Sequence, residues 1–104
     1  MEHLTFEFGP FERRTPLPAP LVVGVVGSGN LEALVESAAL DGKLRFDVST
    51  SIGGFAPTWS AVLRDVAERL GRGDLLVSIN DAGATPAVVV LRMRQAQAAL
   101  EAAA

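Results

Sequence analysis

The sequence predicts an α+β fold in which a mixed β-sheet of about four to five strands carries two helices on one face, in the order βββαβα. Residues 44–49 alternate apolar and polar side chains, which is typical of a half-buried strand. Residues 57–70 repeat apolar side chains at helical spacing. A further apolar run at 75–80 predicts a strand, so 44–80 forms a strand–helix–strand unit whose strands are expected to be parallel.

The residues before this unit predict two strands and one ambiguous segment. Residues 4–8 alternate apolar and polar side chains, and 21–26 is an apolar run that predicts a strand buried on both faces. The proline-rich stretch 13–20 between them is expected to be a connection without a helix or a central strand. Residues 31–36 have helical spacing but follow a short turn, so a helix and a hairpin strand both fit.

Residues at the ends of the two predicted helices support their bounds. Pro57 is placed to start the first helix, Trp59 falls on its apolar face, and Gly71 is placed to end it. The last helix is expected to run from about Pro86, with Thr85 as its N-cap. Each boundary is therefore marked by a residue with a local physical reason to be there.

Composition favours a single globular domain spanning residues 1–104 and excludes several function classes. The hydrophobic fraction of 49% is enough for a core, and a net charge of −3 gives no electrostatic reason to bind nucleic acid or an anionic membrane. The absence of cysteine removes disulfides, thiolate chemistry and cysteine-ligated metals. No apolar run approaches the ~18 residues of a membrane span and no secretory signal is visible, so a cytoplasmic location is expected.

The most informative local feature is Ser28, which lies between two glycines directly after the apolar run. A dinucleotide-binding turn would need a third glycine where Glu32 stands, and a P-loop lysine is absent. A catalytic serine would need a general base, but His3 is the sole histidine and is expected to be solvated near a frayed terminus. The nucleophile-elbow pattern fails at Asn30. We therefore expect no catalytic residue and no metal site.

Two residues remain as candidate attachment points for a covalent group. The small neighbours of Ser28 would let a modifying enzyme reach its hydroxyl, although an ordinary Ser-Gly turn explains the pattern better from the residues alone. Lys43, the single lysine, lies in a predicted turn, as in biotin and lipoyl carriers, but is expected to point to water. Asn80 and Asp81 end a predicted strand, where turn and capping chemistry explains them.

At Ser28 the sequence resembles a known family. The segments 23–32, 48–54 and 79–86, together with Trp59, resemble the acyl carrier (delta) subunit of biotin-independent malonate decarboxylase, in the same order over nearly the whole chain. A weaker similarity extends to the acyl carrier subunit of citrate lyase, in which a modified serine precedes a strand. That comparison favours a strand for residues 31–36.

The resemblance implies a carrier function for Ser28. Its hydroxyl would hold 2'-(5''-phosphoribosyl)-3'-dephospho-CoA through a phosphodiester, attached by a prosthetic-group transferase, with Gly27, Gly29 and Asn30 forming the turn that presents the serine. Asn30 stands where the family often has aspartate. The thiol of this phosphopantetheine-like arm would carry acetyl and malonyl groups. An acyl transferase subunit would exchange acetyl for malonyl from malonate and release acetate, and a decarboxylase subunit would release carbon dioxide.

Two alternatives stay open from the residues alone. One is a carrier modified at Lys43, and the other is a non-catalytic interaction domain whose Gly-Ser-Gly turn carries no chemistry.

Overall fold

The computed structural model describes residues 1–25 and 28–103, so Val26, Gly27 and Ala104 lie outside the described residues. Its elements, in chain order, are β1 (Glu2–Phe8), β2 (Leu21–Val25), β3 (Ser28–Ser37), β4 (Leu44–Thr50), α1 (Ala56–Leu70), β5 (Leu75–Asp81) and α2 (Pro86–Ala103). The α+β class, the mixed sheet and the two helices are those that the sequence predicts.

One five-stranded sheet runs in the order β1-β4-β5-β3-β2. β4 and β5 are parallel, with Leu44 opposite Leu75, and α1 makes the crossover between them as predicted. The other three pairs of strands are antiparallel. The ambiguous residues 31–36 belong to β3, which gives four strands before the first helix where the predicted order βββαβα has three.

Both helices pack on one face of the sheet and bury the alternate strand residues that point to them. Phe46, Leu31 and Val77 are at most 2% exposed on that face, and Trp59 packs into the same cluster from α1, as predicted. The prediction that residues 21–26 are buried on both faces is wrong, because Val22 is 65% exposed. It lies opposite Leu34 on the side of the sheet that carries no helix.

The helix ends follow the predicted capping residues. α1 starts at Ala56 with Pro57 in its first turn, and Gly71 ends it in the left-handed conformation at φ 56°. At the start of α2, the Thr85 hydroxyl accepts a hydrogen bond of 3.4 Å from the backbone N–H of Val88. No helix in the described part of the chain is long and apolar enough to cross a membrane.

The proline-rich connection lies against the end of the sheet where β3 stops and β5 starts. Arg72, which is 5% exposed, donates a hydrogen bond of 2.9 Å to the carbonyl of Thr15. The N–H of Leu17 donates to the Ser37 hydroxyl at 2.7 Å. Residues 13–20 contain no strand or helix, as predicted. Hydrogen bonds attach them to Ser37 at the end of β3 and to Arg72 in the loop before β5.

Candidate functional site

Ser28 is the first residue of β3, in the hairpin that joins β2 to β3, and it pairs with Val25. Leu31 pairs with Asp81, the last residue of β5. At about 3.3 Å per strand residue, Ser28 lies about 10 Å beyond that pair. We call the end of the sheet formed by Leu31, Asp81 and Thr50 the hairpin edge. Ser28 thus lies at the free end of the hairpin, beyond the last residue of the neighbouring strand β5.

Gly24 shapes this hairpin. The register of β2 against β3 shifts between Val23 and Val25, and Gly24 has a left-handed backbone at φ 73°. A Cβ atom at Gly24 would lie 2.6 Å from Nε of Arg92 and 2.8 Å from the carbonyl oxygen of Leu31. Only glycine fits this bulge. This role of Gly24 was not predicted from the sequence, although a glycine inside an apolar strand pattern is a known signal for a bulge.

Asn30 has a special backbone conformation close to Ser28. A turn was predicted over residues 27–30, but β3 starts at Ser28, so Ser28, Gly29 and Asn30 belong to the strand. Gly27 lies outside the described residues. Asn30 has φ 60°, and its carbonyl accepts a hydrogen bond of 2.8 Å from the N–H of Ala82. Asparagine and aspartate tolerate this left-handed region better than other non-glycine residues, so the backbone here would accept either of the two.

His3 is too far from Ser28 to act as its base. The prediction that His3 lies near a frayed terminus is wrong. His3 belongs to β1, which pairs with β4 along its whole length. Its Nδ1 lies 3.0 Å from the hydroxyl of Ser49. Three strand spacings separate β1 from β3, which is about 14 Å. Among residues 1–25 and 28–103, no group of three or more histidine, aspartate or glutamate side chains could hold a metal ion.

Asp81 is a buried carboxylate that organises the hairpin edge. It is 7% exposed and accepts hydrogen bonds from the Thr50 hydroxyl at 2.8 Å and from the N–H groups of Gly83 and Ala84 at 3.1 and 2.7 Å. It therefore closes the turn before α2, as the capping interpretation of the sequence predicts. Its bond to Thr50, the last residue of β4, also joins the ends of the two parallel strands.

Lys43 lies at the opposite end of the sheet from Ser28. It is exposed, immediately precedes β4 and forms a turn in which its N–H donates to the carbonyl of Leu40 at 3.0 Å. The six steps from Leu44 to Thr50 along β4 span about 20 Å. The structure therefore places the two candidate attachment residues at opposite ends of the molecule, with Lys43 pointing to water as predicted.

Together these features define an α+β domain with a serine-bearing hairpin at one end of its sheet. The family model described as malonate decarboxylase delta subunit matches residues 19–100. The chain is 54% identical over 99 residues to the malonate decarboxylase acyl carrier protein of Burkholderia cepacia, covering 94% of this chain and 89% of that protein. It is 48% identical over 99 residues to the protein of the same name from Stenotrophomonas maltophilia strain K279a, covering 92% and 91%.

The fold has a close counterpart of known structure. A chain in the crystal structure of a Pseudomonas malonate decarboxylase hetero-tetramer in complex with malonate superimposes with a TM-score of 0.82 at 40% identity, covering 96% of this chain and 99% of that one. The chain described here belongs to the malonate decarboxylase acyl carrier (delta subunit) family, which confirms the resemblance noted at Ser28.

Proposed function

We propose that this chain is the acyl carrier subunit of a biotin-independent malonate decarboxylase and that Ser28 is its attachment residue. The observation that supports this most is the place of Ser28 at the free end of the β2–β3 hairpin, inside the segment that matches the family. A group joined there would start beyond the last residue of the neighbouring strand β5. The whole chain, 1–104, would act as one carrier domain.

The residues present fit a phosphodiester-linked group. Serine supplies the oxygen for the ester, and neighbouring Gly29 adds no side chain beside it. Gly24 in β2 and Asn30 in β3 each have a left-handed backbone, one on either side of the serine in the hairpin. The group we propose is phosphoribosyl-dephospho-coenzyme A, whose thiol carries acetyl and malonyl groups when it is attached. Gly27, Gly29 and Asn30 would form the segment that presents this group.

The chain's own contribution is to position the arm without catalysing a reaction. Ser28 fixes one end, and the rigid sheet behind the hairpin keeps the arm's origin at the hairpin edge. Tethering raises the local concentration of the thioester at any active site the arm can reach. The partners we propose are an acyl transferase subunit and a decarboxylase subunit of one complex, together with the prosthetic-group transferase, in the cytoplasm. The hetero-tetrameric state of the Pseudomonas relative supports a multisubunit setting.

Intact-mass measurement on protein produced together with the modifying enzymes tests the attachment residue. Wild-type protein should gain the mass of one coenzyme-A-sized group, and Ser28→Ala should gain none. Ser51→Ala is the matched control, because Ser51 also follows a strand at the hairpin edge and precedes a glycine pair. It should be modified like the wild type.

The same experiment separates the alternatives. An adduct that survives in Ser28→Ala and is lost in Lys43→Ala would overturn the proposal in favour of a lysine-modified carrier. An adduct lost in Ser51→Ala would move the site to the loop after β4. No adduct on wild-type protein, while a known carrier is modified by the same enzymes, would favour an unmodified interaction domain.

A further inference from the structure

A cavity of about 390 Å³ opens at the hairpin edge, between the first turns of α1 and α2. Its volume falls within the roughly 300–1,000 Å³ of small-ligand sites. Its walls are mainly apolar and are formed by Ile52, Phe55, Trp59, Val62 and Val89. Ile52 and Phe55 are 45% and 50% exposed, so apolar surface also faces solvent at the cavity's mouth. An apolar group that reached this edge would find a site of suitable size.

The cavity lies within reach of a group carried by Ser28. Thr50 and Asp81 form part of the cavity's lining, and Asp81 is the residue opposite Leu31. Ser28 precedes Leu31 by three residues in β3 and therefore lies about 10 Å from it. A coenzyme-A-length arm spans more than three strand residues, and one that folds back over the hairpin edge would bring its terminal thioester to the cavity.

The charge inside the cavity favours an uncharged occupant. None of the described residues that line the cavity is basic, and Asp81 is the one ionisable residue among them. The Asp81 carboxylate already accepts hydrogen bonds from the N–H groups of Gly83 and Ala84, in the turn before α2. A second carboxylate would have to lose its water beside the first, which is unfavourable in apolar surroundings. An acetyl group carries no such charge, whereas a malonyl group does.

We propose that this cavity is a resting site for the acetyl-loaded arm and that it excludes the malonyl-loaded arm. The inference builds on the proposed function, because it needs a group attached at Ser28. Docking would shield the acetyl thioester from nucleophiles between turnovers. Rejection of the malonyl form would leave that thioester free to enter a partner's active site.

The indole of Trp59 reports occupancy of the cavity. Trp59 is the single tryptophan of the chain, so its indole N–H gives one signal in a nitrogen–proton correlation spectrum. The acetyl-loaded protein should show a shifted signal relative to the unmodified protein, and the malonyl-loaded protein should not. Equal signals in all three forms, or an equal shift in the acetyl and malonyl forms, would overturn the proposal.

Chemical protection gives a second readout that needs no enzyme activity. Hydroxylamine attacks a thioester carbonyl through nitrogen, breaks the carbon–sulfur bond and leaves acetohydroxamate and the free thiol. If the acetyl form is docked about nine-tenths of the time, only the undocked tenth reacts and the rate falls about tenfold relative to free acetyl-coenzyme A. The malonyl thioester should react as fast as free malonyl-coenzyme A.

Cavity-filling variants make the test specific. Ala84 lines the cavity and Thr58 lies exposed at its mouth, so Ala84→Leu and Thr58→Phe should each abolish the protection. Ala87→Leu is the matched control, because Ala87 is exposed on the first turn of α2 and does not line the cavity. It should keep the protection. Loss of protection in the control as well, or full protection in both filled variants, would contradict the proposal.

The failure of this inference is distinguishable from failure of the proposed function. Protein that gains the arm at Ser28 but leaves its acetyl thioester unprotected would refute the resting site alone. Protein that gains no arm at Ser28 would refute both.

Discussion

Replacing Gly24 by alanine should destabilise the protein because Gly24 has two separate reasons to be glycine. A left-handed φ, here 73°, costs an alanine about 1–2 kcal/mol. The new Cβ would also approach the Leu31 carbonyl oxygen to 2.8 Å and the Arg92 side chain to 2.6 Å. The arginine can move, but the carbonyl belongs to the paired strand β3, so overpacking adds about 1–3 kcal/mol.

The two effects together predict a loss of about 2–5 kcal/mol in the free energy of unfolding, and therefore a melting temperature lower by at least about 8 °C. Urea and thermal unfolding followed by circular dichroism measure both quantities. Gly53→Ala is the matched control, because the nearest atom to its Cβ, Oε2 of Glu2, is 3.9 Å away. It should change stability by less than about 0.5 kcal/mol. A Gly24→Ala protein as stable as the control would refute this explanation of the bulge.

Four further predictions concern the hairpin edge and its opposite end. Asn30→Val should cost about 1–2 kcal/mol through its left-handed backbone while Asn30→Asp costs little, as measured by urea unfolding. Ser28→Ala should change the free energy of unfolding by less than about 0.5 kcal/mol, and a larger loss would mean that the serine is structural. Asp81→Ala removes the acceptor of one buried and two half-buried donors and should cost about 1–3 kcal/mol in the same assay, with a change under 1 kcal/mol contradicting the bonds described. Asp74 accepts N–H bonds from Gly42 and Leu40, which lower its pKa, so wild-type stability should fall below about pH 4 as the carboxylate protonates. Acid unfolding of Asp74→Asn should lack that part of the fall, and an unchanged pH profile would be the contrary result.

The sign of the Asp74 effect follows from the direction of its pKa. Backbone donors from Gly42 first and Leu40 second favour the charged form in the folded state. The stabilisation is therefore fully present above the unfolded-state pKa and is lost as the pH falls through the lower, folded-state pKa.

The strand–helix–strand unit could be predicted because the apolar residues of each segment fit one type of secondary structure and not the other. Residues 31–36 could not be assigned from their own pattern. Leu31, Leu34 and Val35 fit a helix, whereas the structure buries Leu31, Ala33 and Val35 beneath the helices and places Leu34 on the other face. A helical and a strand interpretation share two of these residues, so the choice depended on the family resemblance.

Ser28 could be predicted as the site residue from the sequence, but the residues and the cavity that surround the site could not. Ser28 stands out locally, between glycines after an apolar run. The bond between Thr50 and Asp81 joins residues 31 positions apart, and it depends on β4 and β5 being neighbours in the sheet. The cavity beside Trp59 depends on the packing of two helices. Such long-range arrangements are set by tertiary packing, which no single segment's periodicity contains.

Peptide mapping of protein produced with its modifying enzymes shows directly whether Ser28 carries a prosthetic group. Trypsin should release residues 15–43 as one peptide, whose two serines are Ser28 and Ser37. We expect this peptide to carry the added mass and fragmentation to place that mass on Ser28. An added mass on the peptide 46–64, or a modified Lys43 that blocks cleavage and extends the peptide to Arg45, would contradict it.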